Sequence, residues 1–165
     1  MTVDSGTSDP FRTSVFHLLR LILQEHQSLW AARLASAGLP ECTKPQYTLL
    51  RSALAYPGLD QAAAGAFTGT DKSTVVSLVD RLERRGLLRR AHDPGDRRKR
   101  RLFLTDAGKD FLAAAIPVVD QLTDELLARL SDTERETLVA ILLKLAGEAA
   151  ETGEAGEAAP DLAGR

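Results

Sequence analysis

Five consecutive cations, Arg97 to Arg101, lie between the turn residues Asp93-Pro94-Gly95-Asp96 and the apolar alternation Leu102-Phe103-Leu104. Like charges side by side repel, so such a run needs bulk water or a polyanion beside it. The chemistry on offer is electrostatic binding. The run belongs to a wider bias: residues 72–101 hold 11 Lys or Arg against 4 Asp or Glu, while 147–165 hold five acids and one base. The formal net charge of −2 hides this asymmetry, because an acidic tail offsets a basic middle.

Other chemistries find no residues to carry them. The chain has no nucleophile motif, no Gly-rich phosphate loop and no acid pair in an evident cleft, so it reads as no enzyme. Its single cysteine, Cys42, excludes an internal disulfide or a cysteine metal cluster, and reads as a small, partly buried residue. His17 and His26, nine apart, do not share a helix face at a metal-ligand spacing, and no metal or cofactor is expected. No apolar stretch reaches the ~18 residues of a membrane span, and residues 1–10 are polar. The reading is of a soluble, cytoplasmic protein without membrane partners. With 165 residues and 44% hydrophobic content, it has enough chain for one domain with a real core.

The elements that must position the cations can be traced by periodicity. After a polar arm (1–12), Val15, Leu18, Leu19, Ile22, Leu23, Leu29 and Leu34 recur at helical spacing up to Gly38, which fits a C-terminal cap. A second helix runs from Gln46 to Tyr56 and is stopped by Pro57 and Gly58. Two further segments, Asp60 to Phe67 and Asp71 to Arg85, are separated by Gly69, the outline of a helix-turn-helix. In the second of these, Val75, Leu78, Val79 and Leu82 form the buried stripe, leaving Lys72, Ser73, Thr74, Ser77, Arg81 and Arg84 on other faces. Leu-Leu-Arg-Arg-Ala-His (87–92) and the alternation through Leu104 then read as a β-hairpin with DPGD in its loop. From Thr105 helical spacing returns, with a kink expected at Pro117. Ser131 and Glu134 stand at capping-box spacing before a last helix. That helix carries Leu138, Val139, Ile141, Leu142, Leu143 and Leu145, too broad an apolar face for one chain to bury, so the terminal helices are expected to pair two copies. The tail (147–165) is poor in large apolar residues and reads as disordered.

The stretch from Pro57 to Leu112, with LVDRLERRGLLRR and DPGDRRKRRLFLTDAG inside it, resembles the MarR family of bacterial winged-helix transcriptional regulators. The resemblance implies a mainly α fold with a small β-hairpin wing: a winged helix-turn-helix lobe (43–104) with an α-helical dimerisation region (13–37 and 105–146), all in one domain (13–146). It further implies a homodimeric, ligand-responsive repressor that binds double-stranded DNA at a pseudo-palindromic operator. A protein- or RNA-interaction module is the alternative, distinguished by lacking any dependence on half-site spacing. Lys72, Ser73, Thr74, Ser77 and Arg81 are the candidates for the major groove, since a helix is about as wide as that groove. The family's Asp-x-Arg wing motif falls on Asp96 and Arg98, the acid holding a guanidinium that enters the minor groove, with Arg97, Lys99 and Arg100 on phosphates. A polyanion beside the cationic run is then the reason it tolerates its own repulsion. An effector pocket, lined by His26, Trp30, Tyr47 and Arg51, is implied for a small aromatic acid, phenol or thioester. The chain departs from the family pattern in AAAGAF (62–67), where Gly65 lowers helix propensity and predicts a loosely packed first helix of the motif, its gap filled by Phe67.

Overall fold

The computed structural model describes residues 11, 13–93, 95, 96 and 100–147. Most of the arm, the tail beyond 147, and Arg97, Arg98 and Lys99 therefore lie outside the described residues. Among the described residues six helices and three short strands follow in the order α1 (Val15–Ser36), α2 (Lys44–Ala55), β1 (Leu59–Asp60), α3 (Gln61–Thr68), α4 (Lys72–Arg84), β2 (Leu88–His92), β3 (Arg100–Leu104), α5 (Asp106–Leu126) and α6 (Asp132–Ala146).

Local sequence chemistry sets these boundaries. Thr43 opens α2 through a capping box in which its hydroxyl accepts from the Gln46 amide and the Gln46 side chain accepts from the Thr43 amide. Asp60 caps α3 by accepting from the Ala63 amide at 2.8 Å. Gly69 ends α3 in the left-handed region (φ +62°), a conformation costly for residues with a Cβ, and so allows the tight turn into α4. Ser131 and Glu134 form the capping box of α6. The α5 helix continues through Pro117.

One core joins these elements. Leu49 and Leu50 of α2, Val75, Val79 and Leu82 of α4, Leu88 of β2, Leu102 of β3 and Leu112 of α5 are almost fully buried. The hairpin pairs Leu88 with Leu104 and His92 with Arg100. A third strand, absent from the sequence reading, extends it: β1 pairs with β3, Leu59 opposite Leu102, to give the order β1-β3-β2. The strand exists because Leu59 drops into the core beside Leu102 while the Gly58 amide donates to the Leu102 carbonyl at 3.0 Å.

The looseness expected of α3 is not found. A methyl group on Gly65 would stand 3.2 Å from the Thr70 carbonyl oxygen and 3.4 Å from Val75 Cγ2, so the missing side chain is what lets α3 and α4 approach closely. Phe67 stacks on Tyr56 at a ring separation of 5.2 Å. At the chain ends the apolar faces are open: no α6 residue is buried, and Phe16 of α1 and Leu145 of α6 are about 79% and 69% exposed.

Gly108 is the tightest constraint on how α5 meets the sheet. A Cβ there would lie 2.0 Å from the Leu87 carbonyl oxygen, which accepts the Thr105 amide at 3.2 Å. On an exposed helix Gly→Ala would stabilise by roughly 1 kcal/mol. Here Gly108→Ala is expected to destabilise by about 3 kcal/mol through overpacking, measured as a lower midpoint in urea unfolding; an unchanged midpoint would contradict this contact.

Candidate nucleic-acid interface

Burying the α4 stripe fixes which side chains face outward. Val75, Leu78, Val79 and Leu82 are at most 7% exposed. Ser73, Ser77 and Arg81, four residues apart along the helix, therefore share the opposite side. With Thr74 and Leu78 they line a shallow depression of about 360 Å³. Four of the sequence candidates are thus brought together on one surface. Lys72 is exposed but lies around the corner, on a 430 Å³ hollow between α3 and α4 that it shares with Gln61, Gly65 and Thr70. The sequence reading missed Gln61, whose Nε2 is buried at this hollow with no hydrogen-bond partner among the described residues.

The start of α4 is organised by Asp71. Its Oδ1 accepts from the Ser73 and Thr74 amides at 2.8 and 2.9 Å and from the Ser73 hydroxyl at 2.6 Å, and its Oδ2 accepts from the Thr74 hydroxyl at 2.9 Å. The Ser73 hydroxyl, followed by the bonds from Thr74, holds this carboxyl far below the usual carboxylate range. The signal was legible: an acid followed at two and three residues by Ser and Thr is an N-cap pattern.

The hairpin divides the cations. Arg100 is exposed, its Nη1 2.7 Å from His92 Nε2. Asp96 is half-buried, and its amide donates to Asp93 Oδ1 at 3.0 Å. Arg101, the fifth cation of the run, turns back into the fold. Its Nε bonds Asp93 Oδ2 at 2.5 Å and its Nη1 donates to the Gly58 carbonyl at 3.1 Å, tying the root of the hairpin to the turn before β1. Asp93 is buried at about 9% exposure and also accepts from the Gly95 amide at 2.7 Å. Arg90 is held too, by Asp80 and Glu83 of α4. Of the residues expected to follow the backbone or the minor groove, Arg97, Arg98 and Lys99 lie outside the described residues.

The aromatic candidates meet between α1 and α2. The ring of Trp30 stands 5.9 Å from that of His26 and 5.3 Å, edge-on, from that of Tyr47, whose phenol is pushed up by burial, with the Arg51 charge opposing. Burial and the Lys44 charge push the His26 pKa down, favouring the neutral ring. Trp30 is buried and donates from Nε1 to the Cys42 carbonyl at 2.6 Å. It also walls a cavity of about 670 Å³ whose lining includes Gln27, Leu34, Cys42 and Lys44, but not Tyr47 or Arg51. Lys44 Nζ sits 5.8 Å from the indole centre. Cys42 is buried and its thiol is pushed up to about 11 by desolvation, the state of a packed rather than a reactive sulfur.

Comparison with known proteins gives a consistent result. The model of the MarR family matches residues 43–99. Over 134 residues the chain is 40% identical to the transcriptional regulator HosA of Escherichia coli O111:H-, covering 81% of this chain and 96% of HosA. Among solved structures, the PcaV transcriptional regulator from Streptomyces coelicolor, in complex with its natural ligand, is 34% identical with a TM-score of 0.75, covering 87% of this chain and 99% of PcaV. The transcriptional repressor CouR bound to a 23-mer DNA duplex is 27% identical with a TM-score of 0.76, covering 86% of this chain and 99% of that one. CouR from Rhodococcus jostii RHA1 bound to p-coumaroyl-CoA is 28% identical with a TM-score of 0.74, covering 85% and 96%.

The Asp93 contacts have a pH signature. Its carboxyl is held below the usual range, first by the Arg101 hydrogen bond and then by the Gly95 and Asp96 amides. A depressed folded-state pKa contributes stability that is complete above the unfolded value, about 3.9, and is lost as pH falls through the folded value. Asp93→Asn keeps an acceptor for the two amides and removes the titration. Urea unfolding at pH 6 and pH 3 is expected to show a smaller acid-induced loss in the variant than in the parent; equal losses would mean that the Asp93–Arg101 pair does not form.

Proposed function

This chain belongs to the MarR family of transcriptional regulators, and from that premise we propose that it is a homodimeric repressor, released from its operator by a small aromatic ligand. The observation that carries the DNA-reading part is the single outward face on which Ser73, Thr74, Ser77 and Arg81 converge. A helix presenting such a face fits the major groove, with the hairpin beside it reaching the minor groove through Arg98 and meeting phosphates through Arg97, Lys99 and Arg100. Lys72 supplies a further cation at the groove edge. Asp96 orients the wing, and counterion release by the cations provides most of the sequence-independent affinity.

The dimer reading is supported by the open apolar faces at both ends of the fold. Phe16, Leu23, Val139, Leu143 and Leu145 are each more than half exposed, a burden that a second copy relieves. In this arrangement 13–37 and 105–146 join two winged-helix lobes (43–104), and the two α4 helices meet half-sites about one helical turn, roughly 34 Å, apart. A ligand that binds better to the dimer form unable to span that distance shifts the population away from DNA. PcaV was solved with its natural ligand and CouR with p-coumaroyl-CoA. For this chain an aromatic acid, phenol or thioester fits the Trp30 region. The cavity is within the roughly 300–1,000 Å³ of small-molecule sites, and Lys44 stands at its wall, whereas His26, Tyr47 and Arg51 are not among its lining residues.

Selection of bound duplexes from a random pool is expected to enrich a pseudo-palindrome, with binding lost at high salt and Arg98→Ala weakening it by about 1 to 3 kcal/mol. No enriched duplex, or none with two-fold symmetry, would move the function to an interaction module. Trp30 is the only tryptophan, so intrinsic fluorescence reports its surroundings directly. A bound hydroxybenzoate or cinnamate is expected to change that fluorescence and release the selected duplex, and release with no change in emission would place the ligand elsewhere.

A further inference from the structure

Asp71 caps α4, and its bonds also decide what two of the reading residues can offer a base. This step rests on the DNA-reading proposal. An ionised carboxylate can only accept hydrogen bonds, so the Ser73 and Thr74 hydroxyls, at 2.6 and 2.9 Å from it, are the donors. Each hydroxyl has one hydrogen. With that hydrogen committed to Asp71, what each oxygen presents outward is lone pairs.

The major groove offers these oxygens few partners. Guanine N7 and O6 and thymine O4 are acceptors, and the thymine methyl is apolar, leaving the adenine N6 and cytosine N4 amino groups as donors. Phosphate oxygens are acceptors as well, so the same two hydroxyls cannot hydrogen-bond the backbone. Nor can the start of α4 serve as the usual anion cradle of a helix N-terminus, because Asp71 occupies the Ser73 and Thr74 amides and brings its own negative charge.

We infer that Asp71 is a specificity-positioning residue that makes Ser73 and Thr74 acceptor-only readers, selecting adenine or cytosine over guanine or thymine on the strand they face. Every base pair carries one major-groove amino group, so the discrimination is over which strand bears it, amino against keto. Backbone contact from this end of the helix then falls to Lys72, whose ammonium only donates and which is exposed.

The test uses the full chain and the duplex it selects. Comparing selections by the parent, Ser73→Ala and Thr74→Ala identifies the positions each hydroxyl reads, as those whose preference the variant loses. Those positions are expected to hold A or C on one strand. Replacing such an adenine by purine, which lacks only the 6-amino group, is expected to weaken binding of the parent protein about tenfold, the scale of one lost base contact. Asp71→Asn keeps Oδ1 as acceptor of the two amides and of the Ser73 hydroxyl and sets Nδ2 against the Thr74 hydroxyl, so it frees the Thr74 hydrogen alone and is expected to admit G or T at the position Thr74 reads. G or T at those positions in the parent selection, no position altered by either alanine variant, or full affinity for the purine duplex overturns the inference while leaving DNA binding intact. No enriched duplex at all overturns the DNA-reading proposal, and this inference with it. Because the base substitution is measured on the parent protein, the test does not depend on the Asp71 variant folding.

Discussion

The fold depends on the burial of one stripe of α4. Val75, Leu78, Val79 and Leu82 stack at helical spacing against α2, α3 and the sheet, and between them they leave almost no apolar surface in water. At roughly 25 cal/mol per Å² of apolar surface removed from water, turning this helix about its axis would cost several kcal/mol. Its rotation is therefore fixed from behind. That rotation alone sets Ser77 and Arg81 on the far side, while Asp71 orients the Ser73 and Thr74 hydroxyls beside them. Gly65 and Gly69 serve the same constraint, the first by letting α3 come close and the second by turning the chain sharply between the two helices.

The hairpin is fastened to this frame at two points. Arg90 of β2 reaches back to Asp80 and Glu83 on α4, and Arg101 of β3 reaches across to Asp93 and the Gly58 carbonyl. These contacts place the root of the wing in a set relation to α4 on one side and to the start of α3 on the other. Exposed ion pairs contribute little to stability. Here all five partners are less than half exposed at the side chain, so what the pairs supply is orientation.

Much of this was legible in the sequence, because most of it follows from periodicity and caps. The α4 stripe, the Gly69 turn, the alternation of β3 and the Ser131–Glu134 capping box are each written in adjacent residues, and each appears in the structure within a residue or two. What was not legible depends on contacts between distant positions. β1 is two residues long, too short for any period, and exists only because β3 passes beside it. Arg101 reads as one more cation until Asp93, eight residues away, is brought within 2.5 Å. The looseness expected at Gly65 came from helix propensity alone, which knows nothing of the Thr70 carbonyl above it. At the aromatic cluster the sequence named neighbours correctly, with Trp30 joining His26 and Tyr47. It did not show that the cavity beside Trp30 is lined by Gln27, Leu34 and Lys44 rather than by His26, Tyr47 and Arg51.

The inward pairing also shapes how a partner arrives. Three of the four acids between residues 72 and 101, Asp80, Glu83 and Asp93, are engaged with just two of the eleven cations. Asp93 is thereby held in the body of the protein, and the Asp80 and Glu83 carboxylates are neutralised where they stand on α4. The field extending into solvent from α4 and the hairpin is accordingly more uniformly positive than the residue count suggests. Such a field acts over about one Debye length, roughly 8 Å at physiological ionic strength, and guides a diffusing polyanion before any contact is made. The two paired arginines thus bear on the rate of encounter by neutralising acids that would otherwise weaken that field.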